Sequence, residues 1–485
     1  MKKILLILWT VIIGGIIFIG YSLLSPKVAD TPNAPIKISR LNTANTGDKT
    51  STIEEKKSYS EYVTLGDKYF GEENYKLAAQ NYKEANLINS SFENILKLGE
   101  SYLQDNQFEK AKAAFMAALK EQPGNVTATL GEVRSFLGLR DIENAKTILW
   151  TLDPANPEIK YYRGVLLILY KQFEDARKLF AEIVAQKEPL PDQKIIDKSQ
   201  KFLDKYAIFG TYAEGQQLFL QTMMAKALTE VGENSAAIPL LYDVIEQENG
   251  YRDAWLILGY AYLKTGQNTD AIDALSRAKD MDPDKAETLF FLGLAYYANN
   301  DTESAIQYIK QAEEKGYQDK TLINLKLGEL YLLAEKFKTA EKRFENVAAL
   351  NPTDINIFVK IVWLNVDKLN DPEKAVQYAD QAVKLFPEDA MSYNLSGWAS
   401  TAAGQYDQAR TYLSKALNIN KNFDAANLNL GWLYEKQGLK TLAQEYYKKA
   451  YTLGDGNSVS TLAAERFNNL TDSNANNYKV DISSP

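Results

Sequence analysis

WLILGYAYLKTGQNTDAIDALSRAKDMDP, running from Trp255 to Pro283, is the stretch that decides the fold. The stretch reads as two helices packed antiparallel. The first carries Leu258, Gly259 and Tyr262; the second carries Ala271 and Ala278, and Pro283 closes it. Small residues at a helix crossing let two axes come close, and an aromatic one turn away fills the wedge beside them. Proline stops the second helix because it has no N–H to continue the ladder. A unit this short cannot bury its apolar faces alone, so it needs neighbours of the same kind.

Those neighbours are present. Alanine recurs at Ala78, Ala111, Ala145, Ala176, Ala237, Ala271, Ala305, Ala340, Ala375, Ala409 and Ala443. The successive gaps are 33, 34, 31, 61, 34, 34, 35, 35, 34 and 34 residues. A fixed period of this size means stacked supersecondary units that share a continuous core. Further columns align on the alanines. Twelve residues before stand Gly66, Gly99, Gly164, Ala225, Gly259, Gly293, Gly328, Gly397 and Gly431, with Val133 and Trp363 as the exceptions. An aromatic follows three later, as in Tyr69, Tyr102, Phe136, Tyr262, Tyr296, Tyr331 and Tyr434. A bulky residue lies four after the alanine, as in Tyr82, Phe115, Phe180, Phe344 and Tyr447. The large Trp363 at a normally small position predicts a shifted or splayed helix pair there.

This set of columns resembles the tetratricopeptide repeat, in about eleven copies over residues 59–457. The resemblance implies an all-α solenoid, a right-handed superhelix of antiparallel helix pairs. Repeats one to four are expected at 59–190 and repeats five to eleven at 212–457. The long gap between Ala176 and Ala237 places an inserted helix or linker at 191–211, where Ile195, Ile196, Phe202, Leu203 and Tyr206 recur at helical spacing. A capping helix is expected at 458–470 and a disordered tail at 471–485.

Composition removes most chemistry. The chain has 485 residues, no cysteine and no histidine. Disulfides, thiolate and imidazole metal sites, cysteine nucleophiles and the usual general base near neutral pH are therefore excluded. No glycine-rich phosphate loop is present. Carboxylate pairs such as Glu72-Glu73 and Glu313-Glu314 fall on solvated faces, so the reading is of a non-enzyme without cofactor or metal. A net charge of −8 argues against a nucleic-acid partner, which requires clustered Lys and Arg.

Residues 4–24 are nearly all apolar and follow Lys2 and Lys3. About 20 such residues span a bilayer as a helix. The reading is a three-residue tail at 1–3, a transmembrane signal anchor at 4–24, and a flexible linker at 25–57. It makes the chain a single-pass membrane protein with an inside N-terminus and its repeats outside the cytoplasm.

The resemblance also implies where a ligand sits. In such repeats the first helix of each pair lines the concave face, and the positions one after and three before the small column point inward. The candidate ligand groove is therefore Tyr260, Phe290, Leu294, Tyr297, Glu329, Lys360, Asn394, Trp398 and Trp432. Some members grip a terminal carboxylate with Lys and Asn four residues apart; here Lys360 is followed by Leu364, which speaks against that clamp. The functional expectation is a membrane-anchored scaffold that binds a protein or peptide and assembles a cell-envelope complex. One alternative is a carbohydrate-binding subunit of polysaccharide export or modification, with Trp398 and Trp432 stacking on a glycan. Another is an assembly adaptor facing the cytoplasm.

Overall fold

The computed structural model describes residues 58–187, 190–211, 217–454 and 457–475. Among the described residues every regular element is helical, and consecutive helices pair along the chain. The best-formed unit consists of Arg252–Lys264 and Asn268–Met281, of 13 and 14 residues. The all-α solenoid expected from the alanine spacing is the fold observed.

The turn inside each pair repeats as strictly as the alanines do. Left-handed backbone occurs at Glu73, Asn106, Arg140, Lys171, Gly232, Gly266, Asn300, Glu335, Asn370, Gly404 and Gly438, with φ between 52° and 88°. Each stands five positions before a ladder alanine, in all eleven units. Glycine enters this region without strain and asparagine tolerates it, whereas other L-residues are disfavoured there by about 1–2 kcal/mol. Glu335 is exposed, sits at φ 54°, and makes no ion pair or side-chain hydrogen bond among the described residues. Glu335→Gly is expected to raise stability by about 0.5–1 kcal/mol, the relief of that strain less the entropy glycine adds to the unfolded chain. The denaturation midpoint reads this directly; a lowered midpoint would mean that the turn is not strained at Glu335.

Helix crossings explain the small column. A Cβ placed on Gly293 would lie 2.5 Å from Ile309 and 3.1 Å from the carbonyl oxygen of Ala305. The bulky residue four after each alanine fills the same space from the other helix. In the ninth unit the sizes are exchanged: Trp363 stands in the small column and fully buried Ala379 in the bulky one. There the helix Ile355–Trp363 runs into a π-helical turn, Leu364–Lys368, instead of continuing as α-helix. Buried Asn365 lies within that turn and donates from Nδ2 to the Ile361 carbonyl at 2.9 Å. Insertion of one extra residue per turn is how a helix absorbs such a local misfit.

The helices gather into two compact units, one ending at Tyr317 and one beginning at Gln318. The division therefore does not fall at the insert. Helix Gln193–Thr211 packs against both Phe173–Ala185 before it and Gln217–Glu230 after it, all within the N-terminal unit. Its apolar side explains why. Phe202 is fully buried and stacks on Phe180, with ring centroids 4.4 Å apart and planes 4° from parallel. Tyr206 donates its hydroxyl hydrogen to the Phe173 carbonyl oxygen.

In the C-terminal unit the final helix, Ser458–Ala475, runs past the expected end at Leu470. Its Ala463 and Leu470 join Ala443, Tyr447 and Ala450 in one core cluster and so close the exposed end of the last pair.

The membrane expectation is corrected. Among the described residues no helix is long and apolar enough to cross a membrane. A single-pass location with external repeats is withdrawn on that finding. Segments 1–3, 4–24 and 25–57 and the tail beyond Ala475 lie outside the described residues.

Candidate binding surfaces

The expected groove residues divide by burial. Phe290 is 0% exposed, Leu294 2%, Asn394 3% and Tyr260 6%. Phe290 lies 4.3 Å, centroid to centroid, from Tyr317, and Tyr260 sits edge-on to Phe291 at 5.2 Å. These three apolar or aromatic side chains are packing groups, which corrects their assignment to a ligand surface. Burial also pushes the Tyr260 phenol up from its ordinary value. Tyr297, Glu329, Lys360, Trp398 and Trp432 remain half-buried.

Two of these carry charge, and both are paired. Glu329 lies 2.9 Å from the ammonium of buried Lys326 and 4.0 Å from that of Lys360. An ion pair already satisfied at so low an exposure has little left for a ligand. Trp432 is flanked by cations, the Lys436 ammonium 5.6 Å and the Arg466 guanidinium 5.8 Å from its ring centroid. Arg466 belongs to the terminal helix, so the cap that closes the core also covers this indole. Trp398 differs: it is half-buried and makes no hydrogen bond, ion pair or ring contact among the described residues. Beside it in sequence, Asn394 accepts at 2.9 Å from Nδ2 of Asn429, one repeat further on.

The N-terminal unit holds a second surface that the columns did not indicate. A cavity of about 700 Å3 is lined by Arg134, Lys194, Lys198, Lys201, Lys264, Glu73, Glu230 and Glu233 among others. Turns far apart in sequence meet at its edge: Asn106 Nδ2 donates to the Lys264 carbonyl oxygen at 3.2 Å. Arg140 donates to Gln267 at 3.4 Å, and Lys171 pairs with Asp243 at 2.5 Å.

Most charges around this cavity are matched. Arg134 grips Glu100 through two nitrogens at 2.8 and 3.1 Å. Burial acts to raise the Glu100 carboxyl, but the guanidinium outweighs it and holds the group below its ordinary value. Lys198 pairs with Glu233 at 3.2 Å and Lys205 with nearly buried Glu230 at 2.8 Å. Burial pushes the Lys264 ammonium down to about 8, against the pull of Glu73. The sequence did hold a signal for this site: Lys194, Lys198 and Lys201 recur at intervals of four and three, one face of the inserted helix.

Family models of the tetratricopeptide repeat match residues 228–287 in one case and 96–149, 265–321, 367–425 and 402–458 in another. Among curated proteins the chain is 23% identical over 178 residues to Protein bimA of Emericella nidulans, covering 30% of this chain and 22% of that one. It is 23% identical over 175 residues to Anaphase-promoting complex subunit 3 of Schizosaccharomyces pombe, covering 29% and 26% respectively. The chain thus spans about a quarter of the length of these curated relatives. Among solved structures it is similar to a tetratricopeptide repeat protein from Parabacteroides merdae, at 16% identity and TM-score 0.37, covering 53% of this chain and 100% of that one. It is also similar to the APC/C hetero-tetramer Cut9-Hcn1, at 14% identity and TM-score 0.31, covering 84% and 96%.

Proposed function

We propose that this chain, which carries tetratricopeptide repeats in an all-α solenoid, is a scaffold that holds an extended segment of a partner protein. The segment lies along the first helices of the C-terminal unit and is anchored at Trp398. The observation that carries this reading is the half-buried, unpartnered Trp398 beside the Asn394–Asn429 hydrogen bond. A large indole in a desolvated setting is the type of side chain that dominates interface energies. The buried Asn394–Asn429 hydrogen bond ties two adjacent first helices together beneath the indole and so holds that surface in shape. A preformed surface of this kind loses little conformational entropy on binding, so the ordering cost falls on the peptide.

A role in assembling a larger complex belongs to the same proposal. One relative is named as a subunit of a multiprotein complex, and a scaffold suits that setting. The carbohydrate alternative loses its paired platform, because Trp432, the second of the two indoles it used, is flanked by Lys436 and Arg466.

The test is selection of extended peptides from a displayed library on the full chain, followed by calorimetry. Trp398→Ala is expected to weaken the selected peptides by at least tenfold, or about 1.4 kcal/mol, as a hot-spot truncation does. Leu439→Ala, an exposed position elsewhere in the unit, is expected to leave affinity unchanged. Equal affinity for wild type and Trp398→Ala would remove the anchor from this proposal.

A further inference from the structure

We propose that the cavity of the N-terminal unit binds a small, multiply charged oxyanion through Lys194, Lys201 and Lys264. This goes beyond the peptide-binding role, which rests on the other unit.

The first ground is charge left over after pairing. Arg134 is matched by Glu100, Lys198 by Glu233 and Lys205 by Glu230. Among the described residues the ammonium groups of Lys194, Lys201 and Lys264 have no carboxylate within ion-pair distance, and Glu73 is the one lining carboxylate likewise unmatched. An excess of cations therefore faces an open cavity.

The second ground is how those cations arrive there. Lys194, Lys198 and Lys201 fall within about 60° of one another around a helix of 3.6 residues per turn. Like charges at this spacing disfavour a helix unless something neutralises them. Among the described residues Lys198 is the one of the three with a carboxylate within ion-pair distance. Phe202 lies one turn after Lys198 on the neighbouring face and anchors the helix through its stack on Phe180, and Lys194, Lys198 and Lys201 all line the cavity, Lys194 and Lys201 from its solvent-exposed side. This helix is also the one element that interrupts the repeat period, between Ala176 and Ala237.

The third ground is the size of the site. A volume of about 700 Å3 is in the range that takes a metabolite-sized ligand. The bridge from Asn106 to the Lys264 carbonyl joins turns at its edge, which favours a small ligand over a polypeptide threaded through. The lining backbone from Gly232 to Ala236 includes the start of helix Asn234–Gln247, whose N-cap Glu233 makes no side-chain capping bond. Phosphate and carboxylate ligands share the chemistry that such a site reads.

Calorimetric titration of the full chain with inorganic pyrophosphate, tripolyphosphate and citrate tests this, at about 150 mM salt to suppress diffuse attraction. At least one of these anions is expected to bind. Lys194→Met with Lys201→Met is expected to weaken it by at least tenfold, and Lys264→Met to weaken it independently. Lys384→Met with Lys421→Met, in the other unit, is expected to leave it unchanged. Binding of the phosphates alone assigns the site to phosphate esters, and binding of citrate alone assigns it to polycarboxylates. The proposal is overturned if none of the three binds, if both double variants lose affinity equally, or if polyglutamate binds where the small anions do not. Circular dichroism of each variant separates loss of the site from loss of the fold.

Discussion

Truncation of Phe202 to alanine is expected to cost about 3–5 kcal/mol of stability, the usual range for an aromatic removed from a close-packed core. Phe202 is fully buried, stacks on Phe180 at 4.4 Å, and lies 6.3 Å from the ring of Tyr161, itself fully buried. No other side chain of the inserted helix is so large and so completely enclosed. Because each element of a solenoid contacts only its neighbours, the loss should be concentrated locally. Hydrogen exchange in residues 193–211 and in Phe173–Ala185 is expected to accelerate far more than in the C-terminal unit. Denaturant unfolding gives the total and exchange gives its location. If the loss is below about 1 kcal/mol, the helix is held by something other than this stack. The same variant separates two roles, since a loosened helix no longer presents Lys194 and Lys201 to the cavity. Small-anion binding should fall with it while peptide binding at Trp398 stays.

The sequence made the fold legible because the solenoid's constraints are local. Ala271 and Gly259 report a crossing within one helix pair, and Gly266 reports the left-handed turn between them. A pattern repeated at intervals near 34 then needs no long-range information. The binding surfaces were less legible for a physical reason. Whether an inward-pointing side chain is open depends on what neighbouring elements lay over it. Phe290 is covered by Tyr317, which stands where other units place their closing proline, as Pro283 does, so the column gave no sign of an aromatic there. Trp432 is flanked by Arg466, which comes from the terminal helix and not from a repeat. The cavity was hidden more deeply still, since its edge is closed by Asn106 and Lys264, 158 residues apart. Only the lysine spacing on the inserted helix was open to view. It reads as a solvated face until the partners on the facing turns are known.

Lys374→Met is the other substitution expected to have a large effect, about 3 kcal/mol at neutral pH. In the C-terminal unit the Glu341 side chain is 1% exposed and is held by Lys374 and Lys338, each ammonium 2.8 Å away. Lys338 is largely exposed and can supply only a screened charge, so Lys374 is the partner that matters. Removing it leaves a buried carboxylate undercompensated, which is costlier than the pair is stabilising. The pH dependence has a definite sign. Burial acts to raise the Glu341 carboxyl, but its lysine partners outweigh that and hold it below its ordinary value. A depressed carboxyl stabilises the fold above its unfolded value of about 4.3, and that contribution is lost as pH falls through the lower folded value. Lys374 is raised by the same pairing with Glu341 and Glu345, against burial, which acts to lower it. Its contribution is present below its unfolded value of about 10.4 and lost as pH rises through the folded one. The deficit of Lys374→Met relative to wild type should therefore be greatest between these limits and shrink as pH falls through the depressed folded value of Glu341, below which the group is neutral in both proteins. Unfolding midpoints measured from pH 3 to 8 test this, alongside the double variant Glu341→Met with Lys374→Met. The double variant should recover most of the loss, because an apolar pair of similar volume replaces a desolvated ionic one with little penalty. A deficit that does not change with pH, or a double variant as unstable as the single, would show that Lys374 acts by packing its stem and not by its charge.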